Sequence, residues 1–321
     1  MQAQDIASLT FKRLRPTAYL SRFLDQNVRE DARTFDEFRP THVNVGAIET
    51  ADGSCMVKLG STLVIAGVKA EIAKPDEDTP AQGWIIPNVD LSAGCSPRFK
   101  SGPPGDEVQA LTDRILDIFA DANPVAPESL LIERSRAAWC LYIDIVCLAY
   151  DGNACDAAIL AAIGALRDVQ LPQAWWDEER GRAICSPRRE DFVRLQTFAA
   201  PLSFSFAVYD SKHLLADPSA FETALQSGSI TLALCPNQGV GPVEQKKRLD
   251  LTISSQHASG RQRAYVTTSE KGTGKWLHSE QLLDHCFSLA KKRYDYLTSL
   301  LDAEINRSEH SHNDRSNTTD T

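Results

Sequence analysis

Val43, Val45 and Ala47 alternate with polar neighbours, the period of a strand with one face on a core. Asp52-Gly53-Ser54 supplies a hairpin turn, Cys55 to Leu59 a short strand, Gly60-Ser61 a second turn, and Leu63 to Ile72 a longer strand. Three strands joined by tight turns predict an antiparallel meander. Trp84 to Leu91 is strand-like, interrupted by Pro87. From about Asp106, Val108, Leu111, Ile115, Ile118 and Phe119 step at helical spacing. Asp106 and Glu107 suit the positive end of that helix, and Pro124 and Pro127 close it. Leu130 to Ile132 opens the next strand. Trp139 to Tyr150 is apolar apart from Asp144 and reads as a strand buried on both faces, with Asp144 a satisfied structural carboxylate. A helix opening at Asp156 places Ile159, Ala162, Ile163 and Leu166 on one face, and Pro172 stops it.

The pattern then repeats. Ser203 to Tyr209 alternates, Asp210-Ser211-Lys212 turns, His213 to Ala216 returns, and Ser229 to Leu234 is a further strand. Residues 236–250 read as a loop. Leu283, Phe287, Ala290, Tyr294, Leu297 and Leu301 make an apolar stripe on a helix from Ser279 to Ala303. Strands then helix, twice over, predict an α+β protein of two similar halves. The expected divisions are an N-terminal arm (1–40), a first half (41–172), a charged connector (173–194), a second half with the last helix (195–306) and a polar, disordered tail (307–321).

The chain has 321 residues, 42% hydrophobic and 24% charged, the profile of a globular protein. A net charge of -9 argues against nucleic-acid binding by the whole surface but permits a local basic groove. The eight cysteines form no CxxC pair, so neither a disulfide framework nor a zinc site is expected. No signal peptide, membrane span, metal or cofactor is expected either.

Tyr150-Asp151-Gly152-Asn153, between a strand and a helix, has the shape of a phosphate site at a helix N-terminus. Its chemistry is missing. Asp156 stands at the helix start, and no Lys or Arg lies between Asp151 and Leu166. A bare carboxylate there repels an anion. Cys155 has no paired His within sequence reach to make it a nucleophile. Asp217, before Pro218, reads first as a turn residue. Arg98, Phe99 and Lys100 form a cation–aromatic–cation triplet suited to a single RNA strand; the alternative is a solvated loop with Phe99 in the core. Arg180, Arg182, Arg188, Arg189 and Arg194 interleave with acids, as on a solvated surface or a protein contact. Trp175-Trp176 reads as an interface or core anchor. Gly272-Thr273-Gly274-Lys275 lacks the upstream glycine of a P-loop, because position 268 is Thr.

Five stretches taken together resemble one family. They are Arg39-Pro40 with Ala51-Asp52-Gly53-Ser54 and the run Leu59 to Ala66; Gly102-Pro103-Pro104; Trp139 to Ile145 with Tyr150-Asp151-Gly152-Asn153; Leu215-Ala216-Asp217-Pro218 with Gly228-Ser229-Ile230-Thr231; and the last helix. They resemble the RNase PH superfamily, and within it the non-catalytic ring subunits of the RNA exosome. The resemblance implies the ribosomal protein S5 domain 2-like fold, with two pseudo-symmetric βαβ-type halves, mixed sheets and packed helices. Active members degrade RNA from its 3′ end with inorganic phosphate, which they hold with Thr or Ser and Arg. The matching positions here are Ala154 and Cys155, followed by Asp156, a degenerate phosphate site. Asp217 matches one acidic position, whereas its partner is Thr223 and a further one is Gly228, a degenerate acidic site. An arginine expected before the first helix is replaced within Ser101-Gly102-Pro103-Pro104.

The resemblance therefore implies a non-catalytic subunit without cofactors. Its partners would be other RNase PH-like subunits in a six-membered ring, S1/KH-type cap subunits, and single-stranded RNA in the channel. Its location would be nucleus, nucleolus and cytoplasm. The first alternative is an active phosphate-dependent 3′-exoribonuclease whose phosphate is held by Arg134 or Arg136 from a distance. The second is an unrelated small-molecule enzyme.

Overall fold

A computed structural model of the chain describes residues 3–100, 102–197, 200–210, 212–236, 262–270 and 280–317. The loop expected after Pro236 and the Gly272–Lys275 stretch lie outside the described residues. Two helices lead in, α1 (Ala3–Leu14) and α2 (Pro16–Leu24). Pro16 at the start of α2 loses no helical bond there, since the first N–H groups of a helix have no partner. Leu20 and Leu24 then bury against Ala207, Tyr209 and Leu215 of the second half.

The predicted meander forms: β1 (Thr41–Val45), β2 (Gly53–Leu59) and β3 (Thr62–Ala73) pair antiparallel. β4 (Trp84–Asp90) follows, then α3 (Asp106–Ala122), β5 (Leu131–Glu133) and β6 (Ala137–Ala149). The sheet order is β1-β2-β3-β6-β4, with β5 also on β6 and β4 parallel to β6. α3 ends at Asn123 in the left-handed region (φ 44°), whose N–H closes on the Phe119 carbonyl; Asn tolerates that conformation better than most residues.

β6 corrects one expectation. Ala137–Leu141 are buried on both faces, but from Tyr142 onward only one face is buried. Tyr142, Asp144 and Leu148 are exposed, and Asp144 accepts a long hydrogen bond (3.4 Å) from Asn88 rather than sitting in the core. A nearly all-apolar run concealed an ordinary one-sided antiparallel pattern.

α4 (Ala154–Asp168) is the helix buried most completely. Every residue from Ala157 to Leu166 is buried, not one face alone. It packs on β2 and β3 of the first half and on β11 (Leu202–Tyr209) of the second. Its sequence is Ala, Ile, Leu and Gly nearly all round, as a helix between two sheets requires. Gly164 lets the helix touch β2: a Cβ there would lie 2.5 Å from the Cys55 sulfur.

The stretch 173–194 is more than a connector. β7 (Gln170–Pro172) pairs with β10 (Phe192–Arg194), and β8 (Ala174–Asp177) with β9 (Arg182–Cys185). Neither Trp175 nor Trp176 joins the core; Trp175 is half exposed and Trp176 takes the Arg136 guanidinium over its ring at 5.5 Å. In the second half, β12 (His213–Ala216), β11, β13 (Gly228–Pro236) and β14 (Gln262–Glu270) make one antiparallel sheet in that order. α5 (Ala220–Leu225) bridges β12 to β13. α6 (Glu280–Asn317) packs on β1, β11, β13 and α4. It runs past Arg307, where a disordered tail was expected. Extending a formed helix costs far less than nucleating one, and a Glu304–Arg307 pair supports that turn.

Replacing Ile159, which is 0% exposed at the middle of this assembly, is expected to cost about 2–5 kcal/mol as Ile159→Ala. Urea unfolding of the full chain measures it; a loss under about 1 kcal/mol would mean that α4 is not packed between the two sheets.

Candidate functional site

The turn Asp151-Gly152-Asn153 leads from β6 into α4. Asn153 sits at the helix start in the left-handed region (φ 52°). Thr62 Oγ1 donates to the Gly152 carbonyl (2.8 Å) and accepts from the Asp151 N–H (3.1 Å). The Asp151 carbonyl accepts from the Ala220 N–H of the second half at 3.1 Å. Gly152 has φ 81°, and a Cβ on it would lie 2.5 Å from Ala220 N and 2.8 Å from the Pro218 carbonyl. Only glycine fits, because this turn and the Asp217-Pro218 turn press directly on each other.

Asp217 is 0% exposed and has φ 47°. Its Oδ2 accepts from Arg39 N (2.9 Å) and Nε (2.8 Å), and its Oδ1 from Arg39 Nη2 (2.8 Å) and Asn153 Nδ2 (2.6 Å). Arg39 spends its other donors on the Asp151 (2.8 Å) and Gly152 (3.2 Å) carbonyls. One buried arginine thus ties the arm to both turns. Arg33 donates to the Asp217 carbonyl (3.2 Å). Burial alone raises the Asp217 pKa, but the Arg39 hydrogen bonds and charge outweigh it and hold the carboxyl below its ordinary 3.8.

A second buried pair lies beside the first. Arg29 grips Glu222 through Nε (2.9 Å) and Nη2 (2.5 Å), and donates to the Ala216 carbonyl at 2.7 Å. Glu222 also accepts from the Ser219 N–H (2.8 Å), while Ser219 Oγ accepts from the Glu222 N–H: a capping box that starts α5. Thr223, the second degenerate acidic position, spends its hydroxyl on the Ser219 carbonyl at 2.8 Å.

Asp156 is not the bare carboxylate that the sequence suggests. It turns inward. Its oxygens accept from Ser203 Oγ (2.7 Å), Ser205 N (2.8 Å), Ser205 Oγ (3.0 Å) and Asn153 Nδ2 (2.8 Å). Asp156 therefore staples α4 to β11. Burial, only partly offset by Ser203 and Asn153, pushes its carboxyl above the usual range. Ala154 and Cys155 are buried. Burial and then Asp156 push the Cys155 thiol up to about 11, so it is protonated at neutral pH and no nucleophile. The Arg114 charge on α3 opposes that rise in part. Arg136 instead pairs with Glu178, and Arg134 is exposed just before β6.

The 94–105 loop brings Phe99 edge-on to Tyr150, with ring centroids 5.1 Å apart, half-buried against the core. Arg98 pairs with Glu107 at 2.9 Å, and Lys100 is exposed. Phe99 thus does not stand free between the two cations.

Sequence reasoning missed Arg29, Arg33 and Ser205. The signal available was weak: three arginines within eleven positions, in an arm that also carries Glu30, Asp31, Asp36 and Glu37 and so reads as solvated.

A model of the 3′ exoribonuclease family, domain 1, matches residues 37–172. The exosome complex component rrp43 of Schizosaccharomyces pombe is 42% identical over 230 residues, 72% of this chain and 84% of that protein. The exosome complex component Rrp42 of Pyrococcus furiosus is 32% identical over 230 residues, covering 71% of this chain and 81% of the relative. A chain of the Archaeoglobus fulgidus exosome, solved with RNA bound to the active site, superimposes with a TM-score of 0.67 and 28% identity over 87% of this chain and 96% of that one.

Removing the carboxylate in Asp217→Ala strands Arg39 in the interior, and the expected loss is about 3–5 kcal/mol. Because its folded pKa is depressed, ionised Asp217 contributes stability above its unfolded value of 3.8, and that contribution is lost as pH falls through the folded value. Urea unfolding from pH 6 to pH 2.5 should therefore show a shallower acid limb for Asp217→Asn than for the wild type. Parallel limbs would remove Asp217 from the account of acid stability.

Proposed function

This chain belongs to the RNase PH family, and we propose that it is a non-catalytic subunit of an RNA exosome ring. It assembles with related RNase PH-like subunits, six in all, under S1/KH-type caps, and lines a path for single-stranded RNA. Its role in 3′-to-5′ RNA processing and degradation, including ribosomal RNA, is structural. Nucleus, cytoplasm and, within the nucleus, the nucleolus are its proposed locations.

The observation that carries this reading is what the α4 turn does with its groups. Ala154 and Cys155 offer neither the hydroxyl nor the guanidinium with which active relatives of this fold hold phosphate. Asp156 and Asp217, the two buried carboxylates nearby, are both committed to internal partners. An acid that already accepts two hydrogen bonds from one arginine is a poor proton donor or metal ligand. Arg98 and Lys100 are proposed RNA contacts through phosphate, with Phe99 supporting the loop from below rather than stacking on a base.

Arg114 favours the second reading, a phosphorolytic 3′-exoribonuclease, because its positive charge, carried on α3, acts on the Cys155 thiol at the α4 start. One experiment separates the two. The chain is purified alone and then co-assembled with its related ring subunits, and nucleoside diphosphate release from 3′-labelled RNA is followed with and without inorganic phosphate. The proposal expects a ring of defined mass, no phosphate-dependent release by the chain alone, and no change in the ring's activity on Arg114→Ala. Release by the chain alone, abolished by Arg114→Ala, would establish the enzyme.

A further inference from the structure

Among the described residues, one polar atom at the seam between the two halves meets no protein donor. Asn153 is 9% exposed, and its Oδ1 has no hydrogen-bond partner among the described residues. The amide cannot relieve this by turning over. Its Nδ2 gives one hydrogen to Asp156 (2.8 Å) and the other to Asp217 (2.6 Å). A flipped amide would aim its oxygen at two carboxylates and lose both bonds, so the NH2 group is fixed and Oδ1 must face the other way.

Asn153 lines a cavity of about 20 Å³. The other polar groups on its wall are Thr41, Asp156, Ser203, Asp217 and Arg293. We propose that this cavity is a binding site for a single water molecule, which donates to Asn153 Oδ1. The volume suits one water, which needs roughly 10–15 Å³ of accessible space, and is too small for a phosphate or a substrate. The rest of the wall is apolar, with Phe38, Leu59, Leu160 and Phe204 among its residues, so the few polar groups are the water's only partners there.

A cation is the other small occupant to weigh, and the charges oppose it. Arg293 faces the cavity, its Nη2 already donating to the Arg39 carbonyl (2.9 Å) and to Thr41 Oγ1. Asp217 is neutralised by Arg39 and Arg33. The Asp156 oxygens are already taken up by donors from Ser203, Ser205 and Asn153. No group of three His, Cys, Asp or Glu able to hold a metal occurs among the described residues.

The water has a definite place in the architecture. It touches the start of β1 through Thr41, the α4 turn through Asn153, β11 through Ser203, and α6 through Arg293. It completes the hydrogen bonding of the amide that bridges the two carboxylates, and so holds that amide in the one orientation that serves both. This inference does not depend on whether the chain is catalytic.

The test is a crystal structure of the full chain, or of a ring containing it, at a resolution that shows ordered water. Parallel crystals are soaked in rubidium chloride or pressurised with xenon. The expected result is one spherical peak at roughly 2.7–3.2 Å from Asn153 Oδ1, without anomalous signal after the rubidium soak and not displaced by xenon. An anomalous rubidium peak there would make the site a cation site and overturn the proposal. So would a cavity without density that fills with xenon, which would be a dry void.

Discussion

A carboxylate cannot sit 0% exposed in a protein unless cations and donors are built around it, and Asp217 imposes that constraint on this fold. Arg39 answers it with two side-chain bonds and its own backbone N–H. The two residues lie 178 positions apart, so the pair forms only when the arm has returned beneath the second half. Arg29 and Glu222, 193 positions apart, repeat the device a few residues away. Neither pair adds much to stability over a well-packed apolar alternative. Each makes every other arrangement of the arm expensive, because a misplaced arm leaves a charge buried alone. We read the two pairs as specifying how the arm and the halves join.

The same geometry decides what the start of α4 has to offer chemically. Arg39 spends its remaining donors on the Asp151 and Gly152 carbonyls. Gly152 presses on the Pro218–Ala220 backbone, and Asp156 turns into β11. The turn has the outline of an anion site, yet its polar groups face inward and are engaged in holding two halves together. A buried helix of small apolar residues can then run between the sheets with little outside to recognise. This is the physical content of the proposal that the chain serves assembly rather than bond breaking.

Much of this fold was legible from the spacing of apolar residues. β2, β3 and α3 fall where the periodicity puts them, because each has one face on a core; β11 falls there too, although all of it but Ser205 is buried. β6 and α4 misled in opposite directions. The apolar run of β6 suggested two buried faces, although Tyr142 and Leu148 lie on an exposed one. α4 suggested one buried stripe, although a helix of Ala, Ile and Leu between two sheets is covered on all sides. Hairpin strands within 170–194 escaped notice because Arg, Asp and Glu interrupt each run of two or three apolar residues, too few to show a period. The site was legible as a location but not as a set of contacts. Its position between strand and helix, and the absence of a nearby cation in sequence, were readable. That Asp156 points at Ser203 and Ser205, or that Arg39 meets Asp217, depends on segments far apart in the chain, and no local pattern reports it.

The Arg39–Asp217 pair is the joint on which these consequences rest, and a double-mutant cycle measures it most directly. Arg39→Met, Asp217→Ala and the double variant would be unfolded in urea alongside the wild type at neutral pH. The account predicts that the two losses are far from additive, with a coupling energy of about 2 kcal/mol or more, because the second substitution removes the charge that the first had stranded. Losses that simply add, to within about 0.5 kcal/mol, would contradict it: the two groups would then not depend on each other, and the joint between arm and halves would have to be sought elsewhere.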